Sequence, residues 1–548
     1  MKNNKMKKIF LIFTITSLIA GVGCKKGYLD VNTNPNQSTS ADPSLVLPSA
    51  LAVSVAQWYP GPTAHSGWMA SWAISGSFAI SSTDFSTYKM TSDFGDGLWQ
   101  TTYDNLEDYQ YIINKSASNN QPFLEGVAKI MKAYQFQHLV DLWNNVPYAD
   151  ALKGVLSLRP KYSKGMDIYD SLFNEISSGI NLIKIAPTTV KAASDIMFGG
   201  DQNSWIQFAN TIRLRMLLRM SELATKPAFF QPNLDLTKSE SAGFLTKDAL
   251  VQPGYSNSAG KGNPFWQRFY DLSGGQISSF GDLWAPHVFA VNFYKSNNDP
   301  RLNREFIGVK YPLTFVGNTL GAPNGNPTNG NYSLFGPGVL KGYTTKKDIH
   351  GQDSIYVRDA AAGSAAPAVM MLASESYFLQ AEAAVLGFVP ADAKSLYQKG
   401  ITASFKYLAA QGSLKSLVDP LKDSIVYTPE QSAATYYSQP GNTQVDFTTA
   451  GTNLAKQTII LRQKWAALNS INSFEAYTDY RRFNYLHTGN PPYSGPLGNT
   501  PLSVSPYIDI AKIPLRYKYP TSEYSRNPEN VGAEGSIDHQ AGKIWWMQ

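Results

Sequence analysis

Residues 123–148 read FLEGVAKIMKAYQFQHLVDLWNNVPY. The spacing predicts a helix over 123–143, and Pro147 lies just past its end, where a helix must already have stopped. Segments with the same periodicity lie on both sides of it. Residues 166–186, MDIYDSLFNEISSGINLIKIA, carry an apolar stripe of Ile168, Leu172, Phe173, Ile176, Ile180 and Ile183. In 204–223, SWIQFANTIRLRMLLRMSEL, the residues Trp205, Phe208, Ala209, Ile212, Met216 and Met220 share one face, while Leu214, Leu217 and Leu218 cover others. That predicts a helix buried on several sides, with Arg213, Arg215 and Arg219 emerging between neighbours or at a rim.

Helical character begins at Pro43–Ala56, and 458–483 reads as one long helix. Residues 367–405 read as two helices, with Gly387 to Pro390 making the turn and Asp392 near the second start. Ala393 and Tyr397 have the small-x-x-x-aromatic spacing of a tetratricopeptide second helix. The fold class is therefore mainly α, with helix pairs as a scaffold over about 43–226 and 367–548. Between them, about 227–366, stretches such as YSNSAGKGNPFW and LGAPNGNPTNGNYSLFGPG are rich in Gly, Pro and Asn. They predict a long, irregular, loop-rich insert, the kind of segment that more often serves a function than none.

The N-terminus raises a separate question. MKNNKMKK is basic and is followed by the apolar run Ile9–Ala20, too short to span a bilayer, then by Gly21, Val22, Gly23 and Cys24. This is the pattern of a secretory signal, residues 1–23. Cys24 is the only cysteine in 548 residues, so it has no internal disulfide partner. Small residues before a cysteine resemble a bacterial lipobox, with Gly21 where Leu is usual, so Cys24 is the expected lipidation site. Acyl chains on it would anchor the chain to a membrane. Residues 24–42, rich in Asn, Ser and Thr with Pro35, predict a spacer between the lipid and a globular part from 43 to 548.

Composition narrows the partners. The formal charge of +6 contains the four signal lysines, so about +2 remains on the mature chain, with no Lys/Arg-rich block. Nucleic acid is excluded as an expected partner. Charged residues make up only 16 % of the chain, against a usual quarter. A surface of hydroxyls, amides and rings suits an uncharged polar ligand.

Several strings, taken in order, resemble SusD/RagB-type lipoproteins. They are YLDVNTNPNQST (28–39) with VLPSAL (46–51), AKIMKAYQFQHLVDLWNNVPYADALKG (128–154), WIQFANTIRLRMLLRM (205–220), NDPRL (298–302), ASESYFLQAEAAVLG (373–387), QKWAALNS (463–470), FEAYTDYRRF (474–483) and IPLRYKYPTSEYSRNPENV (513–531). The set covers essentially the whole chain. The resemblance implies a mostly α fold with tetratricopeptide-like helix pairs supporting irregular loops. It also implies a place at the outer face of the outer membrane, and a TonB-dependent β-barrel of the SusC type as partner, with this chain as the lid that captures nutrient. Ligands of such proteins are usually glycans, sometimes peptides. Lys25 and Lys26 follow the cysteine where surface-exported members often carry acids.

Stacking of sugar C–H faces needs aromatic rings beside polar groups in a concave site. Trp68, Trp72 and Tyr88 lie in an aromatic, Gly- and Ser-rich stretch that also holds Trp58, Tyr59 and Phe85, and Trp266 and Trp284 lie in the insert. Trp68, Trp72, Tyr88, Trp266 and Trp284 are the candidate ligand residues. A core role is the competing reading, since Trp68 and Trp72 are four apart and could form one helix face. Nothing in the sequence demands catalysis or a cofactor. The six histidines have no metal spacing, GYSNSAGKG fails as a phosphate loop, and no G-x-S-x-G elbow occurs. Calcium is left open, because loop carboxylates and carbonyls leave no fixed spacing. Glu475 and Asp479 share a helix face but neighbour Arg481 and Arg482, which points to ion pairing. A surface glycoside hydrolase, whose paired acids come from distant positions, is the alternative function.

Overall fold

The computed structural model describes residues 41–59, 63–75, 83–187, 194–225, 227–270, 283–308, 314–322, 332–347, 353–411, 427–484, 503–508 and 512–547. The signal, Cys24 and most of the spacer lie outside the described residues. The chain from Pro43 onward forms a unit of its own.

Its longer helices are α1 (Pro43–Trp58), α2 (Asp96–Ser118), α3 (Pro122–Trp143), α4 (Gly165–Ile185), α5 (Gln202–Arg219), α6 (Pro227–Lys238), α7 (Val288–Ser296), α8 (Ala373–Val385), α9 (Ala393–Leu408), α10 (Pro429–Tyr437), α11 (Asn453–Leu468) and α12 (Ser473–Asp479). Each packs on the next in a layered series: α1 on α2, α2 on α3, α3 on α4, α4 on α5, α5 on α8, and α8 on both α9 and α11. The helix expected at 123–143 is α3, begun by Pro122 at its first position and ended at Asn144, whose φ is +71°. Nearly all of it is buried, because α2 and α4 cover opposite sides. Gly126 and Gly179 let α3 and α4 touch backbone to backbone: a Cβ on either would lie 2.6–2.7 Å from the other's carbonyl oxygen. The pair at 367–405 is α8 and α9. Gly387 takes φ +75° in the turn, and the Asp392 carboxylate accepts from the Ser395 N–H at 3.0 Å to cap α9.

Two expectations change. The stretch 458–483 is not one helix. It breaks after Leu468, with Ser470 at φ +61°, resumes as α12, and ends in a π-turn at Tyr480–Asn484. The break is made by tertiary bonds: Trp72 Nε1 donates to Ser470 Oγ at 2.9 Å, and Asn469 Nδ2 donates to Tyr294 Oη at 3.1 Å. Asn and Ser already favour such non-helical alternatives. Second, Trp68 and Trp72 do not share a helix. Trp68 ends the short helix Thr63–Trp68, Ala70 takes φ +54°, and Trp72 opens the strand β1 (Trp72–Ile74).

The region 227–366 is irregular, as expected, but it contains helices α6 and α7 and is tied into the core. Strand Trp284–Pro286 pairs antiparallel with β1, and Ala249–Val251 pairs antiparallel with Ala368–Met371 beyond its far end. Arg301 lies fully buried, its guanidinium on Asp299 at 2.7 Å and Gln463 of α11 at 2.8 Å, and over the rings of Phe405 and Tyr436. Tyr294 of α7 donates to both Glu305 oxygens at 2.8 and 2.9 Å and stacks on Trp465. One hydrophobic core therefore runs through the scaffold and the insert.

Candidate functional site

The middle of the scaffold is an ionic knot. Arg215 and Arg219 do not reach a rim; both are buried. Arg219 pairs with Asp141 of α3 at 2.6 Å and with Glu475 of α12 at 2.7 Å. Arg215 reaches Glu375 of α8 at 3.3 Å, Glu475 at 3.4 Å and Gln137 at 2.8 Å. Lys464 of α11 bridges Glu475 and Asp479, and Arg482 grips Glu382 through two bonds of 2.7 Å while touching Asp479 at 2.8 Å. The expected ion pairing of Glu475 and Asp479 is thus observed, in a form that leaves neither oxygen pair open to a substrate. Burial alone would raise the Glu475 carboxyl, but Arg219, Arg215 and Lys464 outweigh it and hold it well below its usual range. Glu375 is the reverse case. Burial and the Glu475 charge push it up to about 7, and its Oε2 has no hydrogen-bond partner.

The five rings singled out from the sequence are all core residues: Trp68 and Tyr88 are 1 % exposed, Trp72 0 %, Trp266 1 % and Trp284 4 %. Their faces are occupied by protein. Trp72 meets Trp284 at 5.6 Å between ring centres and Phe335 at 4.9 Å. Tyr88 Oη accepts from the Ser503 N–H at 2.8 Å. Trp266 lies flat on Gly342 and Gly363, where an added Cβ would come within 2.4 and 2.3 Å of the ring. The glycines that make room for the buried ring, Gly342 and Gly363, lie far in sequence from the Gly260–Gly262 run that suggested an exposed tryptophan.

Four of these rings back a cavity of about 540 Å³. Its walls are Val53, Ala56 and Gln57 of α1, Leu98 and Thr101 of α2, Ala64, Phe85, Phe94, Arg268 and Tyr517. Phe94 stacks on Trp68 with planes 6° apart, and Phe85 leans on Trp284 at 5.6 Å. Trp284 in turn contacts Trp72, and Trp68 contacts Tyr88. Trp68 Nε1 also donates to the Phe85 carbonyl at 2.9 Å, which fixes the segment carrying that ring. The wall rings Phe85 and Phe94 are half-buried.

The polar groups of the cavity are few. Gln57 Nε2 donates to the Leu98 carbonyl at 3.1 Å and to Thr102 Oγ1, and Gln57 Oε1 has no hydrogen-bond partner. Burial holds the Arg268 guanidinium below its ordinary value. The Tyr517 hydroxyl faces inward to His65 Nε2 at 3.0 Å, and burial, then the Arg481 charge, keeps that imidazole well below its usual range and so neutral. Apolar rings beside the Thr101 hydroxyl and the Arg268 guanidinium can hold an uncharged polar ligand by stacking and hydrogen bonding. Sequence reading found Phe85 within the aromatic stretch but not Phe94, Gln57, Thr101, Arg268 or Tyr517, which are scattered along the chain. A second cavity, about 400 Å³, is lined by Tyr377, Asp248 and three lysines, of which Lys247 and Lys406 already pair with Asp201 and Glu430. Among the described residues no group of three or more His, Cys, Asp or Glu is placed to hold a metal ion, and no helix is long and apolar enough to cross a membrane.

Comparison with known proteins places this architecture. Residues 35–520 match the SusD-like family described as starch-binding and associating with the outer membrane. The chain belongs to that family, whose members are binding proteins rather than enzymes. Solved structures agree in fold. A SusD homologue of Bacteroides fragilis superposes with a TM-score of 0.67 at 19 % identity, covering 93 % of this chain and 100 % of its own. A SusD/RagB family protein of Bacteroides thetaiotaomicron gives 0.67 at 19 %, covering 93 % and 99 %. A chitin-binding SusD homologue of Flavobacterium johnsoniae gives 0.63 at 19 %, covering 92 % and 98 %. No curated protein matches the sequence.

Proposed function

We propose that this chain is a glycan-binding lipoprotein of the outer membrane that captures an oligosaccharide and delivers it to a TonB-dependent barrel of the SusC type. The observation that carries the binding step is the 540 Å³ cavity walled by the Phe85 and Phe94 rings beside Gln57, Thr101 and Arg268. Sugars offer C–H faces to rings and hydroxyls to polar side chains, and this wall supplies rings together with the Thr101 hydroxyl and the Arg268 guanidinium. Trp68, Trp72, Tyr88 and Trp284 act behind the wall, holding its rings in place, and Trp266 stiffens the neighbouring loop. The family's association with the outer membrane and the lipobox-like run before Cys24 support anchoring through that cysteine. The chitin-binding relative, like the family's starch-binding description, supports a glycan as ligand over a peptide.

The test is a titration of malto- and chito-oligosaccharides against the purified protein, with the sugars then recovered and sized. Saturable binding with oligosaccharides returned intact is expected. Binding of peptides alone, or shortened sugars at enzyme-like rates, would contradict the proposal. Mass spectrometry of the membrane-extracted chain should find Cys24 acylated, and mild detergent extraction should bring a large barrel with it.

A further inference from the structure

Residues 150–164, DALKGVLSLRPKYSK, form a surface loop built in an unusual way. Val155 is 86 % exposed, Leu156 87 % and Leu158 77 %, so three aliphatic side chains within four residues face solvent. A lone exposed leucine is ordinary, whereas a run of them on a held loop marks a contact surface.

The loop is held. Its ends pair through the Val146–Pro147 and Tyr162–Ser163 strands. Asn527 Nδ2 donates to the Pro160 carbonyl at 2.8 Å, and Asn530 Nδ2 to the Arg159 carbonyl at 3.0 Å, which ties the base to the C-terminal helices. Leu152 takes φ +61°, a costly conformation for a residue with a Cβ, and Gly154 follows at +55°. The backbone thus turns Val155, Leu156 and Leu158 outward rather than folding them onto the core. Around this apex stand four exposed cations, Lys153, Arg159, Lys161 and Lys164. The one acid of the stretch, Asp150, is paired with Lys153 at 2.9 Å.

We infer that this loop is a second, non-covalent contact to an anionic lipid surface: Val155, Leu156 and Leu158 enter the acyl boundary, and Arg159, Lys161 and Lys164 meet the lipid phosphates. The charge and the shape both favour lipid. Aliphatic tips ringed by Lys and Arg complement a bilayer whose headgroups are anionic. Protein interfaces instead concentrate aromatic residues and are poor in Lys, and the apex has no aromatic. The family's association with the outer membrane puts a bilayer within reach, and nothing here depends on the Phe85–Phe94 cavity. Two attachments, a lipid anchor at the N-terminus and a loop on the globular part, would fix the orientation of the body over the membrane.

The test uses the membrane-extracted chain carrying Leu156→Cys, labelled with a nitroxide and reconstituted in vesicles. Where mass spectrometry shows Cys24 unblocked, Cys24→Ser is added, which separates failure of the lipid anchor from failure of the loop. On phosphatidylcholine vesicles containing about one-third phosphatidylglycerol, the ratio of collisions with lipid-soluble oxygen to those with a water-soluble nickel chelate should rise clearly over the detergent-solubilised chain. The rise should be smaller on pure phosphatidylcholine, and smaller again when Arg159, Lys161 and Lys164 are changed to Gln. All of these positions are exposed, so circular dichroism should be unchanged. A label that stays in water on both vesicle types overturns the inference. So does a label buried only when outer-membrane proteins are added, which would assign the loop to a protein partner.

Discussion

The ionic knot and the aromatic cavity are two polar regions of one scaffold, and they are built on opposite terms. In the knot, charge is paired with charge across five helices and the turn after α12: Asp141, Arg215, Arg219, Glu382, Lys464, Glu475, Asp479 and Arg482 form ion pairs in full burial, with only Arg215 Nε and Glu475 Oε2 among them lacking a hydrogen bond. In the cavity, rings are backed by rings, and Gln57 Oε1 stands without a partner. A matched network resists any change of geometry, because moving one partner strands another. A wall of half-buried rings tolerates substitution more readily and leaves its faces for a ligand. The difference teaches where this chain keeps its stability and where it keeps its variability.

Breaking the knot should therefore have the largest effect on folding. Glu475→Gln leaves Arg215, Arg219 and Lys464 short of a counter-charge, and denaturant unfolding should show a loss of about 3–5 kcal/mol. A loss below about 1 kcal/mol would mean the knot is not what holds α5, α8, α11 and α12 together. Crowding the aromatic layer should cost less. Gly363→Ala puts a Cβ 2.3 Å from the Trp266 ring, and overpacking of this kind costs about 1–3 kcal/mol. The same measurement reads it, and no loss would show that the ring can move aside.

The smallest effect sharpens the comparison within the knot itself. Glu375 has its folded value raised to about 7, so in the folded protein it stays protonated where the unfolded chain would already have released its proton. Its contribution to stability is complete below its unfolded value near 4.5 and is lost as pH rises toward 7. Glu475, held low, contributes in the opposite sense and loses its contribution as pH falls below its unfolded value. Glu375→Gln should flatten the fall in stability between those two pH values, leaving the acid-side loss in place. An unaltered pH profile would show that Glu375 is ionised throughout, as a full member of the network.

The same contrast explains what could be read from the sequence. The strings that resemble the SusD/RagB proteins converge in space on the knot. Asp141 lies in 128–154, Arg215 and Arg219 in 205–220, Glu375 and Glu382 in 373–387, Lys464 in 463–470, and Glu475, Asp479 and Arg482 in 474–483. Those strings and the apolar periodicity beside them carry much of the scaffold, so α1, α3, α4, α5 and the pair α8–α9 were legible, whereas α2 (Asp96–Ser118) lies in none of them and was not. Of the cavity wall, only Tyr517 falls in such a string. The other wall residues come from α1, α2, the segment 64–94 and the helix ending at Phe269, and no period or spacing links them before the chain folds. The tryptophans misled for a physical reason: a large ring in a glycine-rich stretch can be loop-borne and exposed, or can be buried on glycines brought in from elsewhere in the chain, and local composition does not separate the two. Trp266 on Gly342 and Gly363 shows the second outcome. The helix break at Asn469–Asn472 was missed likewise, because the bonds that stabilise it come from Trp72 and Tyr294, far away in sequence.

The central claim, that the Phe85–Phe94 wall binds sugar, is tested most directly by calorimetric titration of the double variant Phe85→Ala/Phe94→Ala beside the unmodified chain, using the oligosaccharide that binds best. A stacked ring is worth on the order of 1–3 kcal/mol, by analogy with base stacking, so affinity should fall at least about tenfold while the melting temperature drops by only a few degrees. Unchanged affinity in a folded double variant would contradict the account and move the binding site elsewhere on the scaffold.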